Sequence, residues 1–198
     1  MFMKVCTIVL TVCLGIGSSV LPTLTYAASV TKKAEKPIST TTKSDFVAEG
    51  YNETGLTYAR QHFYELAREN FAQAVALAET KAKENLYNNN LAMTYKFLGN
   101  YEEALKIVDK VLDNDANFAA AVDTKGDILI GLKRYQDAVV VLTRAIVLRP
   151  GDGTSYYTRG VAREGLKQMT LAKADYKKAV ELPGLYQKEA KAALKRLK

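Results

Sequence analysis

The side chains that could perform chemistry in this sequence are few and widely separated. His62 is the single histidine of the 198 residues, and it has no serine or cysteine partner at helical spacing. Both cysteines, Cys6 and Cys13, lie within the first 27 residues. From residue 28 onward there is therefore no thiol that could act as a nucleophile, form a disulfide or bind a metal ion. A histidine-rich metal site is excluded by the same count.

Two groups of carboxylate and amide side chains resemble parts of reactive sites but lack the required neighbours. The first is spaced like the start of a calcium loop and comprises Asp113, Asp115 and Asn117. However, Phe118 stands where that loop needs glycine, and Thr124 where it needs a bidentate glutamate. The second, Glu102–Glu103, is typical of the first turn of a helix. Phosphate-binding glycine loops, nucleophile elbows and zinc spacings are also missing, so we predict no enzyme activity, no metal site and no cofactor.

The first 27 residues have the three parts of a secretory signal. Lys4 lies near the start, an uncharged apolar run follows, and small residues precede a cleavage point after Ala27. Residues 5–24 carry no charge and are about as long as a bilayer is thick, so an uncleaved membrane anchor is the alternative. Because Pro22 and nearby glycines weaken such a helix, we predict an exported protein, periplasmic or secreted after cleavage. Residues 28–47 are polar and basic, and are predicted to form a disordered linker.

The remaining sequence is organised by a period of 34 residues. Tyr101, Tyr135 and Met169 follow one another at this distance, as do Ala92, Gly126 and Gly160. A fixed period of this size predicts stacked structural copies. The boundaries predict four units at residues 48–81, 85–118, 119–152 and 153–186, with a short insertion at 82–84. Residues 187–198 have one apolar helical stripe and are predicted to form a capping helix.

Each unit has the pattern of two antiparallel helices joined by a tight turn. Its first half contains a small residue, in turn Gly55, Ala92, Gly126 and Gly160. Glycine inside a helix costs about 1 kcal/mol relative to alanine, so its recurrence indicates close helix contact. The second half opens on a bulky residue, in turn Tyr64, Tyr101, Tyr135 and Met169. Later small and apolar residues at spacings of three and four form one helix face.

Three stretches carry a resemblance to a known family. GNYEEALKIVDKVL, residues 126–150 and SYYTRGVAREGLKQMTLAKADYKKAVEL resemble the tetratricopeptide repeat family in their order of small, aromatic, alanine and proline residues. The resemblance, to an exported bacterial-type member, implies an all-α superhelix: a solenoid of about four helix pairs plus the C-terminal capping helix. Two polar residues, Arg163 and Asn114, stand where other units have apolar ones, and we expect looser packing there.

In this family, the first helix of each pair lines a concave surface that binds peptides. The matching positions selected here are Asn52, Leu56, Asn89, Asn90, Met93, Lys96, Asp123, Asp127, Tyr157 and Val161. With the adjacent inward positions Glu49, Glu53 and Glu164, this surface contains five acidic residues and one basic residue. Leu56, Ala120 and Thr124 occupy sites where some members grip a C-terminal carboxylate, so binding of a chaperone tail is not expected.

The net charge of the whole chain is +7, opposite in sign to that surface. Lysines and arginines instead concentrate on second helices and the final segment, as is usual for solvated faces of amphipathic helices. We predict a scaffold or assembly factor for an envelope or secreted complex, which binds a protein or peptide partner and no nucleic acid. The expected ligand is an extended segment with Lys or Arg and an apolar anchor. The alternative is a membrane-tethered protein whose basic outer face contacts anionic membranes; the oligomeric state is left open.

Overall fold

A computed structural model describes residues 43–197, and within this range the chain forms nine α-helices and no strand. The helices are α1 (Lys43–Arg60), α2 (Tyr64–Ala76), α3 (Lys81–Phe97), α4 (Tyr101–Asn114), α5 (Ala119–Gly131), α6 (Tyr135–Leu148), α7 (Gly153–Gly165), α8 (Met169–Glu181) and α9 (Gln187–Arg196). The four bulky residues predicted to open the second helices are the first residues of α2, α4, α6 and α8, so this register is confirmed.

The first eight helices form four pairs arranged in two layers. Each odd-numbered helix packs against the even-numbered helix that follows it, and α1, α3, α5 and α7 also contact one another in sequence. Within residues 43–197 no even-numbered helix of a pair contacts the even-numbered helix of the next. The odd-numbered helices therefore form the inner layer of a curved stack. This architecture confirms the predicted all-α superhelix.

Close contact within each pair depends on the recurring small residue. A Cβ atom added at Gly126 would lie 2.5 Å from Cγ of Leu142, and one at Gly160 would lie 2.6 Å from the Tyr176 ring. Gly55 faces Phe71 in the same way. All three glycines are buried. The glycines recur because the bulky side chain of the second helix rests directly on the backbone of the first.

The turn inside each pair ends the first helix in a Schellman motif. In the third pair, the backbone N–H of Arg134 donates to the Leu129 carbonyl at 2.8 Å, and that of Lys133 donates to the Ile130 carbonyl at 2.9 Å. The residue at the position of Lys133 has a positive φ in all four pairs. These residues are His62, Gly99, Lys133 and Lys167. His62 lies in the turn between α1 and α2, and its Nδ1 atom is 2.7 Å from the Tyr64 hydroxyl.

The start of the helical region differs from the predicted linker boundary. Helix α1 begins at Lys43, so residues 43–47 are helical. Asp45 explains the extension, because its carboxylate lies 2.8 Å from Nζ of Lys83 on α3. Lys83 belongs to the insertion at 82–84, which adds residues at the start of α3. The proposed signal segment and the rest of the linker lie outside the described residues. No helix in the described range is long and apolar enough to span a membrane.

The two polar replacements in the repeat pattern have hydrogen-bonded partners, which corrects the expectation of looser packing. Asn114 donates to Oδ1 of Asn85 at 3.1 Å. Arg163 donates to Asp175 at 2.8 Å, and Arg159 donates to both oxygens of the same carboxylate at 2.7 and 3.0 Å. The Asp175 side chain is only 4% exposed. A buried ionic cluster thus replaces the apolar contacts that the earlier pairs make.

Helix α9 covers the last pair, as its apolar stripe predicts. Ala190 and Ala193 pack against a buried group on α8 that comprises Ala172, Tyr176 and Ala179. The last helical residue described is Arg196. Since α9 supplies only one helix, it closes the apolar end of the stack without adding a further pair.

Candidate functional site

A cavity of about 810 Å³ opens on the inner layer, and we call it the central cavity. Helices α3, α5 and α7 form its floor, and the connection between α8 and α9 forms one side. Its lining comprises Asn89, Met93, Lys96, Phe97, Ala120, Asp123, Thr124, Asp127, Arg149, Gly151, Asp152, Thr154, Thr158, Pro183, Gly184, Leu185 and Tyr186. Five of the ten selected residues meet here: Asn89, Met93, Lys96, Asp123 and Asp127.

The charges of the central cavity are more balanced than the sequence count indicates. Lys96 on α3 donates to Asp127 on α5 at 2.9 Å. Arg149 contacts Asp123 and lies 3.3 Å from Asp152. The lining therefore contains three carboxylates and two cations. The lining retains a small excess of negative charge. Arg149 reduces this excess, and it could not be predicted from the first helices because it lies in the turn after α6.

Asp123 is held firmly within this network. Besides Arg149, it accepts a hydrogen bond from the Ser155 hydroxyl at 2.5 Å. Burial raises the pKa of the Asp123 carboxyl above its ordinary value, and the contacts with Ser155 and Arg149 oppose that rise. Because Asp123 links α5 to α7 and to the turn after α6, its first role is to join neighbouring pairs.

Asn89 has unused hydrogen-bonding capacity at the cavity floor. It is 4% exposed, and its Oδ1 atom accepts no hydrogen bond from any described residue. Its Nδ2 atom has only the Met93 sulfur at 3.9 Å, and a thioether is a weak acceptor. A buried amide without partners is costly. Because Asn89 lines the central cavity, a ligand there could pair with this amide once its side chain rotates toward the cavity.

The structure places the three N-terminal site candidates outside this cavity. Asn90 donates to Oδ1 of Asn52 at 2.9 Å, and this pair joins α3 to α1. Leu56 packs with an apolar group that includes Ala67 and Phe71. These residues contribute to the contact between the first two pairs, and they do not line the central cavity.

Tyr157 and Val161 line a second cavity of about 680 Å³ at the C-terminal end of the inner layer, the terminal cavity. The remaining lining residues are Ile130, Tyr135, Glu164, Gly165, Tyr176, Glu189, Ala192, Ala193 and Arg196. Glu189 and Arg196 come from α9 and were not among the predicted site residues. Helix α9 is not a copy of any other helix, so the 34-residue period does not predict which of its side chains face α7.

Two tyrosine rings in tilted contact lie between the cavities. The ring of Tyr157, which lines the terminal cavity, lies 4.8 Å from that of Tyr186, which lines the central cavity. Tyr157 also lies 5.6 Å from the Tyr176 ring. Burial raises the pKa of the Tyr157 hydroxyl, and the carboxylates of Glu189 and Glu164 raise it further. The partition between the cavities is therefore aromatic and lies in a negative field.

Comparison with known proteins gives the class of this fold. The family model for the tetratricopeptide repeat matches residues 87–118 and 153–183. A tetratricopeptide repeat protein of Thermus thermophilus has a similar structure, with a TM-score of 0.68 and 19% identity over 76% of this chain and 80% of that one. The chain contains tetratricopeptide repeats and folds as a solenoid of that class.

Two further similarities are to other known proteins. The chain is 33% identical over 84 residues to RNA polymerase II-associated protein 3 of Xenopus tropicalis. This match spans 42% of the chain but 13% of that relative's length. The first repeat domain of Spaghetti (RPAP3), bound to the HSP90 peptide SRMEEVD, is also similar: the TM-score is 0.53 and the identity 25%, over 57% of this chain and 89% of that one.

Proposed function

We propose that this protein is a non-enzymatic interaction module whose inner face binds an extended segment of another protein. The observation that carries the proposal is Asn89, a buried amide with an unpartnered oxygen at the floor of an 810 Å³ cavity. An extended peptide presents backbone N–H and carbonyl groups at regular intervals. Asn89 would donate to one and accept from another, whatever the side chains of the ligand.

The apolar part of the central cavity supplies a place for an anchor side chain. Met93, Phe97 and Leu185 are exposed although they are large and apolar. They lie at the mouth of the cavity around the charged pairs. Burying them against a ligand would remove apolar surface from water. The proposed ligand therefore combines an apolar anchor, a backbone segment over Asn89 and a basic residue.

The similarity to a peptide-bound domain supports the class of ligand but not its charge. The peptide SRMEEVD is acidic, and it is bound by that other protein. In this chain, Ala120 and Thr124 line the central cavity, and both of its cations already contact aspartates. An acidic tail would meet a lining with an excess of carboxylate. We therefore propose a segment with Lys or Arg in place of a chaperone tail.

The proposed setting is the cell envelope or the secreted fraction, where the protein would act as a scaffold or assembly factor. The support is the signal-like pattern of residues 1–27, with its apolar run and small residues before position 28. Intact mass of the protein recovered from a bacterial host tests this. A mass that lacks residues 1–27 is expected, whereas a mass that includes them supports the membrane-tethered alternative.

The basic outer face receives less support as the working surface. Many of its cations are paired with carboxylates on the same face, such as Lys106 with Glu103 at 3.1 Å and Lys178 with Glu181 at 2.7 Å. Such pairs reduce the positive field that an anionic membrane would meet. Liposomes with anionic lipid test this alternative. Binding that falls steeply with salt would favour it over the inner face.

Two adjacent asparagines allow a matched test of the proposed function. Asn88 and Asn89 are both buried on α3, but only Asn89 lines the central cavity. Random peptides displayed on phage would be selected on the full chain, and the enriched peptides measured by fluorescence anisotropy. Asn89→Ala should lower their affinity about three- to tenfold, as expected for loss of one or two hydrogen bonds. Asn88→Ala should leave it within about twofold.

Two results would count against the proposal. The first is a selection that enriches no peptide. The second is equal affinity of the wild-type and Asn89→Ala proteins for every enriched peptide, which would remove the inner face as the binding surface.

A further inference from the structure

The terminal cavity contains a carboxylate that already binds a guanidinium group of the same chain. Glu164 on α7 accepts hydrogen bonds from both terminal nitrogens of Arg196 on α9, one of them at 2.9 Å. It also accepts from the Tyr176 hydroxyl at 2.8 Å. This two-point arrangement is the geometry in which a carboxylate recognises arginine. Arg196 is attached to the last turn of α9, and its side chain is 61% exposed.

A second carboxylate of the terminal cavity has no counter-ion among the residues that the structure describes. Glu189 lies on the first turn of α9, and within residues 43–197 its carboxylate takes part in no ion pair or hydrogen bond. The lining thus contains two carboxylates and a single cation, Arg196. A ligand cation that enters this cavity would find Glu189 free and Glu164 already engaged.

The walls of the terminal cavity suit a long basic side chain. Tyr135 and Tyr157 present aromatic rings, and Ile130 and Val161 present aliphatic groups. Lys and Arg cover apolar surface with their methylene stems while their charged ends reach polar partners. Aromatic faces also attract cations. The cavity therefore offers contacts to the stem as well as to the charge.

We propose that the terminal cavity is a subsite for a Lys or Arg side chain of the bound segment, with Glu189 as its counter-ion and Arg196 as an internal competitor. This inference rests on the proposed function, because it assigns one residue of the same ligand to a defined place. A ligand that occupies both cavities passes over the Tyr157–Tyr186 partition. Its basic side chain then contacts Glu189 directly and shares or replaces Arg196 on Glu164.

The test compares peptide pairs on the full chain. Peptides enriched by phage selection would be synthesised with their Lys or Arg and again with glutamine there, and both affinities measured by fluorescence anisotropy. On the wild-type protein, glutamine should lower affinity about three- to tenfold. On Glu189→Gln, this difference should shrink below about twofold. Glu102→Gln is the matched control, because Glu102 is also a first-turn glutamate but lines neither cavity.

Arg196→Ala gives a result in the opposite direction. Removal of the competitor should raise the affinity of the basic peptide about two- to threefold and leave the glutamine peptide unchanged. Lys195→Ala, an exposed neighbour on α9, should change neither. Thermal melting of each variant checks that α9 stays folded, and the wild-type comparison of peptide pairs needs no variant.

The possible failures are distinguishable. If selection enriches no peptide, the proposed function is overturned together with this inference. If peptides bind but glutamine replaces Lys or Arg without loss on the wild-type protein, only the basic subsite is overturned. A difference between peptides that persists in full on Glu189→Gln would also reject Glu189 as the counter-ion.

Discussion

The buried ionic cluster on α7 and α8 makes a strong prediction about stability. Asp175 accepts three hydrogen bonds from Arg159 and Arg163 at 2.7, 2.8 and 3.0 Å. The two arginine side chains are 12% and 17% exposed, so neither reaches water freely. Asp175→Ile would leave both cations without their carboxylate. Removing one partner of such a buried group costs about 3–5 kcal/mol, and should lower the melting temperature by roughly 10 °C.

An earlier repeat indicates which substitutions should restore the stability that Asp175→Ile removes. Two repeats earlier, the positions of Arg159, Arg163 and Asp175 hold Leu91, Tyr95 and Ile107. The triple variant Arg159→Leu, Arg163→Tyr, Asp175→Ile therefore copies an apolar arrangement that the same fold already contains. Replacing a complete buried ionic group with packed apolar residues is often neutral or stabilising. We expect the triple variant to lie within about 1 kcal/mol of wild type.

Denaturant unfolding followed by circular dichroism would measure these differences. Asp137→Asn is the control, because it breaks an exposed pair with Arg134 and should cost less than about 1 kcal/mol. A loss below about 1 kcal/mol for Asp175→Ile would refute the reasoning on desolvation. A triple variant as unstable as the single one would show that the cost comes from the isoleucine and not from unpaired charge.

Two further predictions concern the turns and α9. Lys133→Gly and Lys167→Gly should each stabilise the protein by roughly 0.5–1 kcal/mol, because both lysines hold a positive φ that favours glycine; Gly99→Ala should have the reverse effect, and equal melting temperatures would contradict this. The hydrogen bond from Arg196 holds the pKa of Glu164 below its ordinary value of 4.5. Ionised Glu164 thus stabilises the fold above that pH, and the contribution is lost as the pH falls through the lower folded pKa. Arg196→Gln should therefore reduce the fall in melting temperature between about pH 5 and pH 3, and an unchanged fall would reject the assignment.

Most of the fold could be predicted because a repeated sequence repeats its contacts. Two positions recur with the period: the bulky residue that opens α4, α6 and α8, and the small residue on the first helix of each pair against which the second helix packs. One well-preserved copy therefore sets the register of the others. The start of α1 was not predictable in this way. Its extension depends on the ion pair between Asp45 and Lys83, and Lys83 belongs to an insertion that the other units lack.

The candidate site was predicted less completely, for a related reason. First-helix positions were selected from the family resemblance, and three of them, Asn89, Asp123 and Asp127, line the central cavity. The partners that set their charge come from elsewhere: Arg149 lies in a turn, and Glu189 and Arg196 lie on the unrepeated α9. Which turn or cap residue reaches the inner layer depends on the curvature of the whole stack, and local spacing contains no information about that.

The ionic cluster also bears on how copies of a repeat diverge. Leu91, Tyr95 and Ile107 work as a set, and so do Arg159, Arg163 and Asp175. Arg159 can be changed while Arg163 still balances Asp175, but that last pair has to change together, because either residue alone would be a buried, uncompensated charge. A mutational barrier therefore separates the two kinds of copy. Two repeats within one chain can therefore keep the same backbone fold although a single residue copied from one into the other would destabilise it.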